Sequence, residues 1–128
     1  MTADISALEA LVAALARAGA DVDRQARQVV SKGALNIKRD WAANAAASSG
    51  RHAPHYPRTI GYDLITTPAG SSAVIGPDKD RSREQATYGA ILEFGSVHNP
   101  PHNDGGRALL AEEPRFIAAV EALGESLL

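Results

Sequence analysis

There is no cysteine in this chain, and that absence removes disulfides, thiolate nucleophiles and every cysteine-based zinc motif. Aromatic residues are almost as scarce, with one tryptophan, three tyrosines and two phenylalanines among 128 residues. The apolar fraction of 45% is raised by 25 alanines, so few side chains are large enough to fill a core. Each fully buried large apolar side chain stabilises a fold by about 1.5–3 kcal/mol; a chain short of them gains from a partner surface. Long hydrophobic runs are missing too, and the N-terminus shows no basic region followed by an apolar core, so neither a membrane span nor a signal peptide is expected. Finally, there is no excess of positive charge. The net charge of −2 argues against a general nucleic-acid binder, whose domain is usually strongly basic.

What is present is unevenly distributed. Residues 1–58 carry eight Lys/Arg against five Asp/Glu, whereas residues 59–128 carry five against ten, a polarity that suits subunits stacked basic face to acidic face. The length fits a single domain. "DISALEALVAALARA" places Ile5, Leu8, Leu11, Val12 and Leu15 at three- and four-residue spacing, predicting an amphipathic helix from Asp4 to Ala18 ended by Gly19. A second, longer helix is predicted from Asp21 to about Ala47. Its apolar stripe runs Val22, Ala26, Val29, Val30, Ala34, Ile37, Trp41 and Ala45, with basic residues largely opposite. Gly33 inside it marks a bend or a close helix crossing. No internal repeat or coiled-coil heptad is apparent.

Residues 48–57, within "ASSGRHAPHYPRT", read as an irregular linker. Beyond it "TIGYDLITT" and "SSAVIG" read as strands joined by the turn "TPAG", a hairpin. The charged stretch Pro77 to Thr87, containing Lys79, Arg81 and Arg83, is expected to be an exposed, mobile loop. Tyr88 to Phe94 fits a strand or a short helix, and the helix is favoured because Thr87 can cap its start and Gly95 its end. The chain closes with a helical region, residues 107–128, interrupted at Pro114. The expected fold class is α+β: long N-terminal helices (residues 1–47), a small antiparallel sheet within a β-rich region with contact loops (58–106), and a C-terminal helix.

The chemistry-bearing residues cluster in "YGAILEFGSVHNPPHNDGG". His98 and His102 have the i, i+4 spacing of a helical zinc pair, but Pro100 and Pro101 between them favour an extended backbone that spreads them apart. A small metalloenzyme built on these histidines is the alternative of another class. Glu93 is a carboxylate in an apolar run; acting as a general acid or base it would need a second titrating group, for which Asp63 or Asp104 has no supporting spacing. It is expected instead to hold a backbone amide or an arginine and so fix a turn. Neither a nucleophile elbow nor a phosphate-binding glycine loop occurs. No cofactor is called for.

The residues "VIGPD", "YGAILEFGS" and "NPPHNDGGRALLAEEPRF" occur in that order, and with them, from about Asp21 onward, the chain resembles the tail-completion, or head-to-tail connector, proteins of long-tailed bacteriophages. The family's pattern is Tyr-x-x-x-Val-Glu-Phe-Gly-Thr. Here Ser96 stands for the threonine, and "HNDGG" replaces a Pro-Phe-Leu anchor. The resemblance implies a structural virion protein with no enzymatic activity, a ring subunit, expected as a hexamer, in the phage neck. Its partners would be itself, the adjoining head-closure ring and the tail terminator or tail tube. The tail terminator itself is a second candidate identity, and a cellular adaptor unrelated to phages a third. The family reading makes Tyr88 to Phe94 a short buried anchor and Gly95 to Gly106 a contact loop, with Tyr88, Glu93, Phe94, Gly95, His98, Pro100, Pro101 and His102 at or near subunit interfaces. Repeated copies of Arg24, Arg27, Lys38 and Arg39 would then face DNA in the ring lumen. The expected location is the virion, after assembly in the host cytoplasm.

Overall fold

The computed structural model describes residues 5–49, 51–78, 89–96 and 100–126. The expected residues Tyr88, His98, Lys79, Arg81 and Arg83 lie outside these. The described chain is α+β. Helix α1 (Ser6–Ser49) and the one-turn α2 (Tyr56–Thr59) precede an antiparallel hairpin of β1 (Ile60–Thr67) and β2 (Gly70–Pro77), followed by α3 (Gly89–Phe94) and α4 (Asp104–Ser126). No helix among the described residues is long and apolar enough to cross a membrane.

The two predicted N-terminal helices are one. Gly19 does not end the first; it continues as helix with no atom of another element near its Cα face. A glycine costs about 1 kcal/mol in a helix interior, too little to break a helix whose neighbours are mostly alanine, leucine and arginine, all strong helix formers. At 1.5 Å per residue the 44-residue helix is about 66 Å long. Its apolar stripe therefore runs uninterrupted past Gly19, and its two halves meet different fates. From Val22 onward the stripe is half-buried or buried against the rest of the chain, whereas every residue from Ile5 to Asp21 is exposed.

Pro114 likewise fails to interrupt the C-terminal helix, which runs continuously from Asp104. A helix-interior proline normally costs about 3 kcal/mol. Here it lies on the exposed face, where the carbonyl it leaves unpaired, that of Leu110, belongs to an exposed residue and can be hydrated. Packing on the other face holds the helix together: Ala108 and Glu112 are buried, and Phe116 lies against α1 at Gly33. A Cβ on Gly33 would lie 3.0 Å from the Phe116 ring, so of the two readings of this glycine, the close helix crossing is the observed one.

The hairpin pairs in register from Ile60 opposite Pro77 to Thr67 opposite Gly70. Pro68 and Ala69 form the turn, braced by the Ala69 amide donating to Thr67 Oγ1 at 3.2 Å. Gly70 has φ of 145°, a backbone that side-chain-bearing residues rarely adopt. A two-stranded sheet is marginal alone; this one rests on α1 at its base, where Ile60 and Gly61 are buried, while Leu64 and Ile65 are exposed at its outer half.

The stretch between α1 and the hairpin is more ordered than an irregular linker. Helix α1 extends through Ser49, whose carbonyl accepts from the Ala53 amide at 2.8 Å, and Ala53 and Tyr56 join Ala45 and Ile60 in the hydrophobic core, with Trp41, Ile75 and Leu92 packed around it. That core is small. Among the described residues, four of the six buried apolar side chains are alanines, as the alanine-rich composition leads one to expect.

Candidate functional site

Helix α3 is the short helix expected within Tyr88 to Phe94, and Gly95 ends it with φ of 79°, its amide donating to the Ile91 carbonyl at 2.8 Å. The register of this helix decides which side chain turns inward. Glu93 is buried and Leu92 half-buried, but Phe94 is 78% exposed. The expected buried anchor of Tyr88 to Phe94 is therefore buried only in part, for a reason of periodicity: an inward Phe94 would have suited the strand alternative, but on a helix adjacent residues are about 100° apart, so Phe94 does not share the inward face of Glu93.

The Glu93 carboxylate reaches across to the start of α4. Oε2 accepts from the Gly105 amide and Oε1 from the Gly106 amide, each at 2.9 Å. These are donors in the first turn of a helix, which have no partner within the helix itself, and the positive end of the helix dipole favours the charge. Two backbone contacts complete the clasp: the His102 amide donates to the Leu92 carbonyl at 2.8 Å and the Asn103 amide to the Glu93 carbonyl at 3.1 Å. Asn103 takes φ of 54°, a left-handed conformation that asparagine tolerates better than most residues. The turn-fixing role expected for Glu93 is the one observed.

Asp104 forms the second half of the clasp. It is fully buried; its carboxylate accepts from Ser48 Oγ at 2.9 and 3.0 Å and from Arg107 Nη2 at 2.7 Å, and its carbonyl accepts from Asn44 Nδ2 at 3.0 Å. The start of α4 is therefore pinned to α3 through Glu93 and to α1 through Asp104. Gly105 lies so near Trp41 that a Cβ there would be 2.8 Å from the indole. Farther along α4, buried Glu112 accepts from Asn36 Nδ2 at 3.1 Å and pairs with Arg115, which also reaches Asp40.

The contact loop expected from Gly95 to Gly106 is thus shorter, because Asp104, Gly105 and Gly106 belong to α4. Pro100 and Pro101 are exposed and His102 is half-buried, its Nδ1 3.9 Å from Asp104 Oδ2. Among the described residues no three His, Cys, Asp or Glu side chains gather as a metal would need. Of the basic residues, Arg24, Arg27 and Arg39 are exposed and Lys38 is half-buried; Arg24 pairs with Asp21 at 2.8 Å.

Sequence reasoning passed over Tyr56, Asp104 and Glu112 as anchors. The signal for Asp104 was an acidic residue opening an apolar helical run, a usual helix-start residue. Tyr56 is buried with its hydroxyl lacking a hydrogen-bond partner among the described residues. Burial raises its pKa above the usual 10.0; the neighbouring Trp41 indole opposes this, and the nearby charges of Glu93 and Asp104 add to the rise.

An open groove of about 590 Å³ lies between α1, β2 and α4, lined by Val30, Ala34, Ile37, Ala73, Ile75 and Leu109 among others. It is mainly apolar, and one of its two carboxylates, Glu112, is already engaged by Asn36 and Arg115. Comparison with known proteins found no matching family model, curated protein or solved structure.

Proposed function

We propose that this chain is a structural subunit of a bacteriophage neck, assembling as a ring, expected to be a hexamer, between the head and the tail. The observation that carries this reading is the use made of Glu93. In the stretch "YGAILEFGS", which resembles the tail-completion motif, the one carboxylate directs both oxygens to backbone amides of α4. A carboxylate so engaged serves to hold a loop and a helix in one geometry, the requirement of a subunit whose interfaces must close a ring.

In this reading the exposed Phe94, Pro100 and Pro101 are contact residues presented by the clasp. The clasp fixes their position relative to α1 and α4, so these three residues are held in place before assembly and less ordering entropy is lost on docking. The exposed Arg27 and Arg39, repeated around a ring, would supply a basic lining for DNA in the lumen, a sequence-independent contact that weakens with salt. The adjoining partners are the head-closure ring on one side and the tail terminator or tail tube on the other, and the location is the virion.

Imaging of assembled particles tests the proposal. Density for this chain at the neck is expected; density only at the end of the tail tube would identify a tail terminator instead, and particles lacking the chain would overturn the proposal.

A further inference from the structure

One Asp–Gly pair, Asp104–Gly105, occurs in the chain, and no Asn–Gly. In an Asp–Gly step the glycine nitrogen can attack the carbon of the protonated aspartyl carboxyl. An N–C bond forms, the carboxyl hydroxyl leaves with the amide hydrogen as water, and a succinimide ring closes. Hydrolysis returns the water and opens the ring mainly to isoaspartate, whose main chain runs through the β-carboxyl. Glycine favours the step because it has no side chain to hinder close approach of its backbone. Packing nevertheless demands this pair here: buried Asp104 joins α4 to Ser48 of α1, and a Cβ on Gly105 would lie 2.8 Å from the Trp41 indole.

We propose that Asp104–Gly105 is a spontaneous modification site held closed by the Glu93 clasp: isoaspartate at 104 forms only in copies whose clasp has opened, and then keeps it open. Three observations carry this. The nucleophile is engaged, because the Gly105 amide donates to Glu93 Oε2 at 2.9 Å. The electrophile is held, because the Asp104 carboxylate accepts from Ser48 Oγ at 2.9 and 3.0 Å and from Arg107 Nη2 at 2.7 Å. The backbone is in the wrong conformation, because Asp104 already belongs to α4 and the Arg107 amide donates to the Asn103 carbonyl at 3.0 Å. Ring closure requires the Gly105 nitrogen to eclipse the Asp104 Cβ about the Cα–C bond, far from the helical ψ of about −42°.

All three restraints end together when the first turn of α4 opens, and helix ends open locally at lower free energy than the whole fold. Isoaspartate then inserts a methylene into the main chain between Asn103 and Gly105. The Gly105 and Gly106 amides are displaced from the two Glu93 oxygens that now accept from them, so the clasp cannot re-form and the exposed Pro100 and Pro101 lose their fixed position. The proposal stands on the clasp geometry and is independent of the neck reading.

The test follows isoaspartate at 104 by peptide mass spectrometry in the full-length chain, aged at neutral pH and physiological temperature. Folded wild type is expected to form it roughly tenfold more slowly than the same chain unfolded in urea, since only the open fraction reacts. Glu93→Gln, which frees one of the two amides, and Ser48→Ala, which loosens the carboxylate, should each speed it severalfold while far-UV circular dichroism stays native; should Glu93→Gln fail to fold, Ser48→Ala decides. Phe116→Leu loosens the packing of α4 on α1 far from the clasp and should leave the rate near that of wild type. Equal rates in folded and unfolded wild type, no acceleration in the folded variants, or equal acceleration in Phe116→Leu would each overturn the proposal. Wild-type chain carrying isoaspartate at 104, refolded, should show fast amide exchange at Gly106; slow exchange there would overturn the claim that the modification keeps the clasp open.

Discussion

Glu93 and Tyr56 show how much of this fold rests on single buried polar groups. Glu93 satisfies two amides at the start of α4 that no other described group reaches. Charged hydrogen bonds of this kind contribute about 1.5–3 kcal/mol each, and loss of a helix cap costs about 0.5–2 kcal/mol. Glu93→Ala is therefore expected to lower stability in urea unfolding by about 2–4 kcal/mol, and Glu93→Gln by less, since its amide oxygen still accepts one of the two amides. Tyr56 predicts a pH effect. Its folded pKa lies above the unfolded value of 10.0, so its contribution to stability is fully present below pH 10.0 and is lost as the pH rises through the folded pKa. The stability of the wild-type chain should fall across that alkaline window, and Tyr56→Phe should flatten the fall; an unchanged alkaline profile in the variant would assign the effect elsewhere. Of these two residues, only Glu93 was legible in the sequence, because a carboxylate flanked by leucine and phenylalanine and followed by glycine is a local pattern. Tyr56 sits among prolines and histidines, and nothing local reveals that Ala45, Ala53 and Ile60 enclose it.

At the scale of elements, helices whose periodicity spans several turns were legible, and so was the hairpin, with alternation on both sides of a Pro-containing turn. Boundaries set by one residue were not. Gly19 and Pro114 are punctuation in the local code, yet both lie inside helices, because the local penalty of about 1 kcal/mol for glycine and about 3 kcal/mol for proline is outweighed by the propensity or the packing on either side. Gly19 has nothing nearby to clash with a side chain. Gly19→Ala should accordingly stabilise the exposed first half of α1 by about 1 kcal/mol, read as roughly fivefold slower amide exchange for residues 6–18; exchange left unchanged would mean that this half is not helical in solution. The small helix α3 was legible as a helix, but which of its faces is inward was not, because six residues give too few turns to define a stripe.

For the whole molecule, composition already implied a thin core, and the structure carries that implication through: small residues fill the interior while many leucines, isoleucines and valines remain exposed along α1, the hairpin and α4. A chain built this way places part of its apolar surface where only another molecule can cover it. The α+β class, the hairpin, the apolar stripe of α1 and the structural part played by Glu93 were determined by the sequence alone, since each depends on residues within a few turns of one another. The tertiary structure alone decided that α1 is a single rod with only its second half covered, that Phe94 points outward while Glu93 points in, and that Asp104 links α4 to Ser48 and Asn44, 56 and 60 residues earlier in the chain. The physical reason is range. Periodicity and capping are set by neighbours along the chain, whereas burial depends on which distant segments arrive at the same place, and no local pattern encodes that meeting.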